Sequence, residues 1–190
     1  MNKALFQQVP VIGLLAAAGI LLTYLEIPIP FMPPFMKIDI SDAASLAGFF
    51  ALGLPSAILI TGIKDLIHLF VSESLGIGEI CNFFITLVYL IAFQYGNRFS
   101  RRAGYGAAIL AMTAAASILN VYVLLPLYFA AFHINEAQLL AMAGAAGNPA
   151  SSMAGYVLFV VVPFNLLKGS AIAVVSEMLR RRIPFLQGKY

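Results

Sequence analysis

A small set of polar and ionisable side chains interrupts an otherwise apolar chain, and their spacing indicates a binding site. The set comprises Lys64, Asp65, His68, Glu79, Asn82, Asn120, Asn165 and Lys168. Lys64 and His68 are four residues apart, and Asn165 and Lys168 are three apart, so each pair shares a helix face. Ionisable groups within membrane spans are costly and usually face the protein interior or a water-filled cavity.

Three of these side chains are suited to recognising a planar polar ligand. Asn120 and Asn165 each lie roughly 18 Å below the outer end of the predicted helix, and Lys168 lies about one turn deeper. An amide offers a donor and an acceptor side by side, whereas lysine offers only donors. This floor matches a ligand edge that alternates carbonyl, N–H and carbonyl, although a lysine by itself could also bind a carboxylate or a phosphate. Glu79 and Asn82 are expected near the outer rim.

Several of these residues also have a structural interpretation. Lys64 and Asp65 could form an internal ion pair, Asn120 could bond a neighbouring backbone, and Glu79 could balance the start of its helix. We expect His68 to be a hydrogen-bonded packing residue, because no second His or Cys is spaced to join it in a metal site.

No arrangement of residues indicates an enzyme. The sequence offers no convincing Ser/His/Asp order, no paired-carboxylate site and no HExxH motif, and its KGS triplet at 168–170 lacks the preceding glycine-rich loop of a nucleotide site. We therefore expect no catalytic residue, no metal and no cofactor. Uphill transport would draw its energy from a partner or an ion gradient.

The composition is that of an integral membrane protein. The 190 residues are 62% hydrophobic and 10% charged, with a mean hydropathy of +0.95, whereas soluble domains carry about 25% charged residues. The spans should be helical, because lipid leaves no water for unpaired backbone groups. One cysteine excludes a disulfide framework, and a net charge of +3 is too small to suggest nucleic acid.

The apolar runs predict one all-α domain, 1–190, with six transmembrane helices. The predicted helices cover about 5–25, 43–54, 55–71, 79–99, 107–132 and 153–181. We expect Ser41 or Asp42 to cap the second helix, Pro126 to kink the fifth, 97–106 to be a loop, and 135–146 to form a surface helix. The N-terminal run is too long for a signal peptide and lacks a small-residue cleavage site, so it is interpreted as a retained helix.

Basic residues predict the orientation, because Lys and Arg collect in cytoplasmic loops. One set of connections holds Lys3, Arg98, Arg101, Arg102, Arg180, Arg181, Arg182 and Lys189. The other set holds only Lys37. Both termini are therefore expected in the cytoplasm, with 27–42, 72–78 and 133–152 outside.

The external loop, 27–42, is the least ordinary connection. Pro28, Pro30, Pro33 and Pro34 exclude a helix interior and favour extended backbone. The loop combines apolar side chains with charges, so it either lies at the lipid interface or covers a cavity. We favour a lid, formed by Phe31, Pro33, Phe35 and Lys37.

The first helix presents Gly13 and Ala17 in small-xxx-small spacing, which allows close helix approach in lipid. The partner could be another helix of the same chain or a separate membrane subunit.

The order of these motifs resembles the riboflavin-specific substrate-binding subunits (S components) of energy-coupling factor (ECF) transporters. The motifs are Pro28-x-Pro30-Phe31-x-Pro33-Pro34-Phe35-Met36-Lys37-Ile38-Asp39-Ile40-Ser41-Asp42, Lys64-x-x-x-His68, Gly78-Glu79-Ile80-Cys81-Asn82-Phe83, Asn120-x-Tyr122-x-x-x-Pro126-x-Tyr128 and Pro163-Phe164-Asn165-Leu166-Leu167-Lys168-Gly169. The chain departs from the family pattern at 43–46, at Asp65, where Asn is common, and at Gly13, where Ala is usual.

The resemblance implies a six-helix protein of the prokaryotic plasma membrane that binds riboflavin as its transported ligand. It would work in the lipid bilayer with a transmembrane coupling subunit, docked on Gly13 and Ala17, and two cytoplasmic ATPases. The expected ligand contacts are Asn120, Asn165 and Lys168 for the flavin edge, Leu46, Tyr122 and Phe164 for the ring, Glu79 and Asn82 for the ribityl chain, with Asp42 and Lys64 beside them. The alternatives are the same architecture for thiamine or pantothenate, or a self-sufficient secondary transporter, which would be expected to show an inverted repeat.

Overall fold

Helices form most of the described chain. A computed structural model describes residues 3–33, 36–72 and 74–187, with side chains from Gln8 onward. Phe35, Pro34 and Lys189, which the sequence analysis used, lie outside the described residues.

The helices are interrupted by one short hairpin and by two π-helical segments. The elements are α1 Lys3–Thr23, β1 Ile27–Pro28, β2 Lys37–Ile38, α2 Asp42–Leu52, α3 Leu54–His68, a 3₁₀ turn Leu69–Val71, α4 Ile77–Asn97, α5 Arg101–Leu119, a π segment Asn120–Leu124, α6 Leu125–Phe132, α7 Glu136–Ala145, α8 Met153–Tyr156, a π segment Val157–Val161, α9 Val162–Arg182 and a 3₁₀ turn Pro184–Gln187.

Four continuous helical stretches are long and apolar enough to cross a membrane. They are Leu54–Val71, Ile77–Asn97, Arg101–Phe132 and Met153–Arg182. The described part of α1 from Gln8 to Thr23 and the whole of α2 are apolar but shorter. The predicted all-α membrane class is thus confirmed.

Helix α2 lies at the centre of the molecule. Every residue from Asp42 to Ala51 is buried, and the helix packs against α1, α3 and α9. Its apolar side chains join the main core with the aromatic rings of Phe50 and Phe93, whose centroids are 5.7 Å apart. The chain turns from α2 into α3 at Gly53, whose φ of +89° suits a residue without a Cβ. This burial places Asp42, the charged residue at the start of α2, inside the protein.

Proline interrupts both long outer helices in the same way. In each, the residue before the proline donates its N–H to a carbonyl five residues back: Leu125 to Asn120, and Val162 to Val157. Pro126 and Pro163 follow at once, and a proline ring can neither donate nor tolerate a regular turn before it. The two π segments contact each other, so both irregular turns meet on one side of the cavity described below.

The structure corrects two boundaries. Helix α5 begins at Arg101 because the Ser100 side chain accepts a hydrogen bond from Ala103 N at 3.1 Å, so 101–106 is helical and the predicted loop is wrong there. Ser41 does not cap α2 with its side chain and has helical dihedrals. Its hydroxyl bonds Asp39 and Lys64 instead. The predicted surface helix is confirmed as α7, with a capping box between Asn135 and Gln138.

The external loop contains an antiparallel hairpin, which the sequence analysis did not predict. Ile27 pairs with Ile38 and Pro28 with Lys37. Proline is tolerated in so short an edge strand because no further strand needs its N–H. Lys37 Nζ also lies 2.7 Å from Glu26 Oε2. The predicted extended backbone is confirmed for these described residues.

Candidate functional site

A cavity of about 220 Å³ lies beneath the external loop. It is enclosed by residues from α3, α4, the α5–α6 stretch and α9, and by the inner part of the loop. Seven of its lining residues, including His68, Glu79 and Tyr128, also line a wider outer vestibule of about 850 Å³. The cavity therefore has a polar interior that opens toward the loop side of the molecule.

The structure brings most of the predicted binding residues together around this cavity. They are Lys64, Glu79, Asn82, Asn120, Phe164, Asn165 and Lys168. Of the predicted lid residues, Lys37 lines the cavity. Phe31 is 66% exposed, whereas Pro33 is buried.

Two predicted ring contacts do not reach the cavity. Tyr122 is 76% exposed, because it is two residues from Asn120 and positions i and i+2 point in different directions on a helix. Tyr128, eight residues after Asn120, lines the cavity in its place. Leu46 is fully buried in the core cluster with Phe50 and so lies behind the site.

The two floor amides are held by their own helices. Asn120 Nδ2 donates to Ala116 O at 2.9 Å, and Asn165 Nδ2 donates to Val161 O at 2.8 Å. Among the described residues, neither Oδ1 atom receives a hydrogen bond. Each amide therefore has a defined orientation, with its oxygen and its second N–H available to a ligand.

Lys64 is the centre of a buried charge cluster. Its Nζ lies 2.7 Å from Asp65 Oδ1 and 3.1 Å from Asp42 Oδ1, and it donates to Ser41 Oγ at 3.0 Å. The Lys64 side chain is 1% exposed. The expected internal ion pair is confirmed, and it has a second carboxylate, because a buried ammonium needs several oxygen partners to compensate for lost hydration.

Lys168 joins the same cluster from α9. Its Nζ donates to Asn82 Oδ1 at 2.8 Å and to Asp39 Oδ2 at 3.1 Å, and lies 3.4 Å from Asp42 Oδ2. Asp42 thus stands between the two lysines. This arrangement leaves Lys168 at the cavity wall with partners that a ligand carbonyl could join or replace.

Asp39 is a site residue that the sequence analysis missed. It extends from the external loop to Lys168 and also accepts a hydrogen bond from Ser41 N at 2.9 Å. Burial alone would raise the pKa of this carboxyl, but the attraction of Lys168 and Lys64 and the bonds from Ser41 outweigh it and hold the pKa well below its usual value. A lysine deep in an apolar chain with few acids could have pointed to such a partner.

His68 and Glu79 form the rim between cavity and vestibule. His68 Nδ1 lies 3.0 Å from Glu79 Oε1, and the hydroxyls of Ser72 and Ser74 donate to Glu79 Oε2 at 2.7 and 2.8 Å. The expectation that His68 is a hydrogen-bonded residue is confirmed. Within the described residues, no cluster of His, Cys, Asp or Glu has the composition of a metal site.

The predicted docking residues of α1, Gly13 and Ala17, face outward. Gly13 and Ala17 are exposed, and a Cβ on Gly13 would meet no atom within 4 Å. Ile12 and Ala16, on the adjacent face of the helix, are buried. Gly13 and Ala17 therefore do not pack closely against other helices of the described chain. Such packing was one of the two interpretations left open.

The charges of the cavity suit an uncharged polar ligand. Four carboxylates and three ammonium groups line it, those of Glu26, Asp39, Asp65, Glu79, Lys37, Lys64 and Lys168. The ammonium groups of Lys64 and Lys168 are already paired with carboxylates. The floor therefore offers hydrogen-bond donors and acceptors with fixed directions rather than a net charge.

The chain is similar to known membrane transport proteins. The profile of the family described as "ECF transporter, substrate-specific component" matches residues 7–180. The "Riboflavin transporter RibU" of Staphylococcus aureus (strain TCH60) is 30% identical over 177 residues, which cover 90% of this chain and 87% of the relative.

Two further relatives agree. The "Riboflavin transporter FmnP" of Bacillus subtilis (strain 168) is 26% identical over 181 residues, covering 89% of this chain and 87% of the relative. A solved structure titled "Structure and mechanism of the S component of a bacterial ECF transporter" is 28% identical and has a TM-score of 0.74. The structural alignment covers 96% of this chain and 98% of the chain in that structure. The chain therefore belongs to the family of substrate-specific components of ECF transporters.

Proposed function

We propose that this S component binds riboflavin from the outer side of the membrane and delivers it for uptake. The observation that carries the proposal is the floor of two oriented amides and one ammonium group, formed by Asn120, Asn165 and Lys168. The isoalloxazine ring of riboflavin carries a carbonyl, N–H, carbonyl edge with matching acceptors and donor. The curated relatives that are named riboflavin transporters support the same ligand.

The remaining lining residues suit the other parts of riboflavin. An amide oxygen of the floor accepts from the ring N–H, while amide N–H groups and Lys168 Nζ donate to the carbonyls. Phe164 offers an apolar surface to the ring, and Glu79 and Asn82 offer hydrogen bonds to the ribityl hydroxyls. As a carrier component, the protein is not an enzyme, and riboflavin is its transported ligand rather than a cofactor.

In this proposal the chain is a single domain, 1–190, with six membrane-crossing helices. Helices α1 and α2 add to the four long stretches, and the excess of basic residues places both termini in the cytoplasm of a prokaryotic cell. The external loop and the vestibule then face the outside, from which riboflavin enters.

Transport requires partners that supply energy. We place the transmembrane coupling subunit on the outward face of α1 at Gly13 and Ala17, because small residues allow close helix contact. Two cytoplasmic ATPase subunits complete the transporter. The absence of packing against this face within the described chain supports that position.

Purified protein tests the ligand directly. Riboflavin absorbance in the detergent-purified protein, and quenching of riboflavin fluorescence on titration of ligand-free protein, are the expected results. Thiamine and pantothenate, added in excess, should not compete. A colourless protein that leaves riboflavin fluorescence unchanged would overturn the proposal, and calorimetric binding of another vitamin would replace it.

A further inference from the structure

The side chain of Asn148 connects the external loop, the last membrane helix and its own connection between α7 and α8. Its Nδ2 donates to Phe31 O in the external loop and to Phe159 O in the last membrane helix, both at 3.0 Å. Its Oδ1 accepts from Ala150 N, also at 3.0 Å. Both amide hydrogens and the amide oxygen of Asn148 thus form hydrogen bonds, and the residue is 8% exposed.

The carbonyl of Phe159 lacks the donor that a regular α-helix would give it. It lies four residues before Pro163, the residue whose N–H would be its partner in a regular helix, and proline has none. The side chain of Asn148 supplies a donor, and its second N–H bonds the Phe31 carbonyl in the loop. The interruption of the last helix is therefore linked physically to the position of Phe31.

The backbone around Asn148 also approaches the loop closely. Gly147 has a φ of +81°, and a Cβ added there would lie 3.2 Å from the Phe31 ring. Beyond Phe31, Met32 and Met36 pack on a cluster that includes Leu139 and Tyr156. The outer part of the loop thus rests on the 139–161 region, while its inner part reaches the cavity floor through Asp39 and Lys168.

We infer that Asn148 is a positioning residue that fastens the external loop over the cavity and so sets how long the ligand is retained. This inference rests on the proposed function for the identity of the ligand. Met36, Lys37 and Asp39 of the loop line the cavity, and in this inference the loop shifts when a ligand beneath it leaves toward the vestibule. Asp39 contacts a residue of the ligand floor, whereas Asn148 holds the loop from a point outside the cavity.

The test compares riboflavin dissociation from the wild-type protein and from Asn148→Ala, by recovery of riboflavin fluorescence after dilution. Loss of the bonds to Phe31 and Phe159 should make dissociation about threefold to tenfold faster. The rate of association should change less, because the residues of the ligand floor are unaltered.

Two variants separate fastening from local folding. Asn148→Asp keeps the acceptor for Ala150 N but loses both donor bonds, so it should dissociate as fast as the alanine variant. Ser152→Ala removes the bond of Ser152 Oγ with Gly155 N and leaves Phe31 untouched, so its rate should match wild type. If Asn148 only shaped its own turn, Asn148→Asp would behave as wild type, which would overturn the inference.

Hydrogen exchange of ligand-free protein gives a readout that does not depend on riboflavin. The N–H of Met32 bonds Ile29 O at 3.3 Å, and peptides covering 27–33 should exchange faster in Asn148→Ala and Asn148→Asp than in Ser152→Ala. Wild-type protein that fails to bind riboflavin contradicts the proposed function alone, and exchange then decides the fastening. Unchanged exchange and unchanged dissociation contradict the fastening alone.

Discussion

Lys168 is the residue at which the ligand floor, the external loop and the buried charge cluster meet. Its Nζ contacts Asn82, Asp39 and Asp42. A ligand carbonyl at this position would receive a charge-assisted hydrogen bond, which is stronger than one between neutral groups. In the proposed complex, the same contacts would connect the bound ligand to Asp39, and through Asp39 to the loop.

Replacement of Lys168 by methionine should weaken riboflavin binding by about 1.5–3 kcal/mol, because it removes a charged donor while retaining an unbranched side chain of similar length. Fluorescence titration measures the change in Kd. Arg181→Met is the control: Arg181 lies on the same helix but outside the cavity lining, and it is 73% exposed in its pair with Glu177, where such pairs contribute about 0–1 kcal/mol. Equal effects of the two variants would remove Lys168 from the ligand floor.

Asp39 makes a prediction about pH. Its folded-state pKa is lowered, so its ionised form stabilises the folded protein at all pH values above the unfolded-state pKa of about 3.9. That stabilisation is lost as the pH falls from there through the folded-state pKa. Asp39→Asn should therefore be less stable than wild type by a constant amount between about pH 5 and 8, and the difference should shrink below about pH 4.

Thermal unfolding in detergent measures this difference, with Glu136→Gln at the exposed start of α7 as the control. A gap between wild type and Asp39→Asn that closes already near neutral pH would contradict the ion pair with Lys168.

At the scale of elements, two proline-linked π segments set the directions of the floor residues. Asn120 begins the first, and Asn165 follows the second by one turn. Because the two segments contact each other, the amides approach the cavity from neighbouring helices. The cost of polar groups facing lipid predicted that both residues are internal, yet the altered turn and the i, i+2 spacing placed Tyr122 outside and Tyr128 inside.

Helix α1 carries the prediction for the partner. Gly13→Leu adds a bulky side chain where nothing lies within 4 Å in the isolated chain, so riboflavin binding by purified protein should be unchanged. Uptake by cells should be lost, because the larger side chain keeps a partner helix at a distance. Leu14→Phe, an exposed change on the neighbouring face, should preserve uptake. Full uptake by Gly13→Leu would exclude this face as the docking surface.

At the scale of the whole molecule, the proposed topology can be tested with cysteine labelling. The single cysteine, Cys81, is 3% exposed, so background reaction with a membrane-impermeant maleimide should be low. Ala137→Cys on α7 should react in intact cells, and Arg102→Cys should react only after permeabilisation. Labelling of Arg102→Cys in intact cells would reverse the orientation inferred from the basic residues.

Much of the architecture follows from local sequence. Long apolar runs predict helices because unpaired backbone groups are excluded from lipid, and the predicted surface helix is present as α7. Boundaries were less predictable where one side chain decided them, as Ser100 did for α5. The hairpin of the external loop was missed because two-residue strands leave no periodic pattern.

That Asn120, Asn165 and Lys168 face a cavity could be predicted from their residue types, because polar groups in an apolar helix have no favourable position toward lipid. Their partners, in contrast, depend on the packing of distant segments and could not be predicted in this way. Lys168 contacts Asp39, which is 129 residues away, and Asn148 contacts Phe31 across 117 residues. Periodicity reports which residues share a face of one helix, whereas these contacts depend on how separate helices pack and on the course of the loop between them.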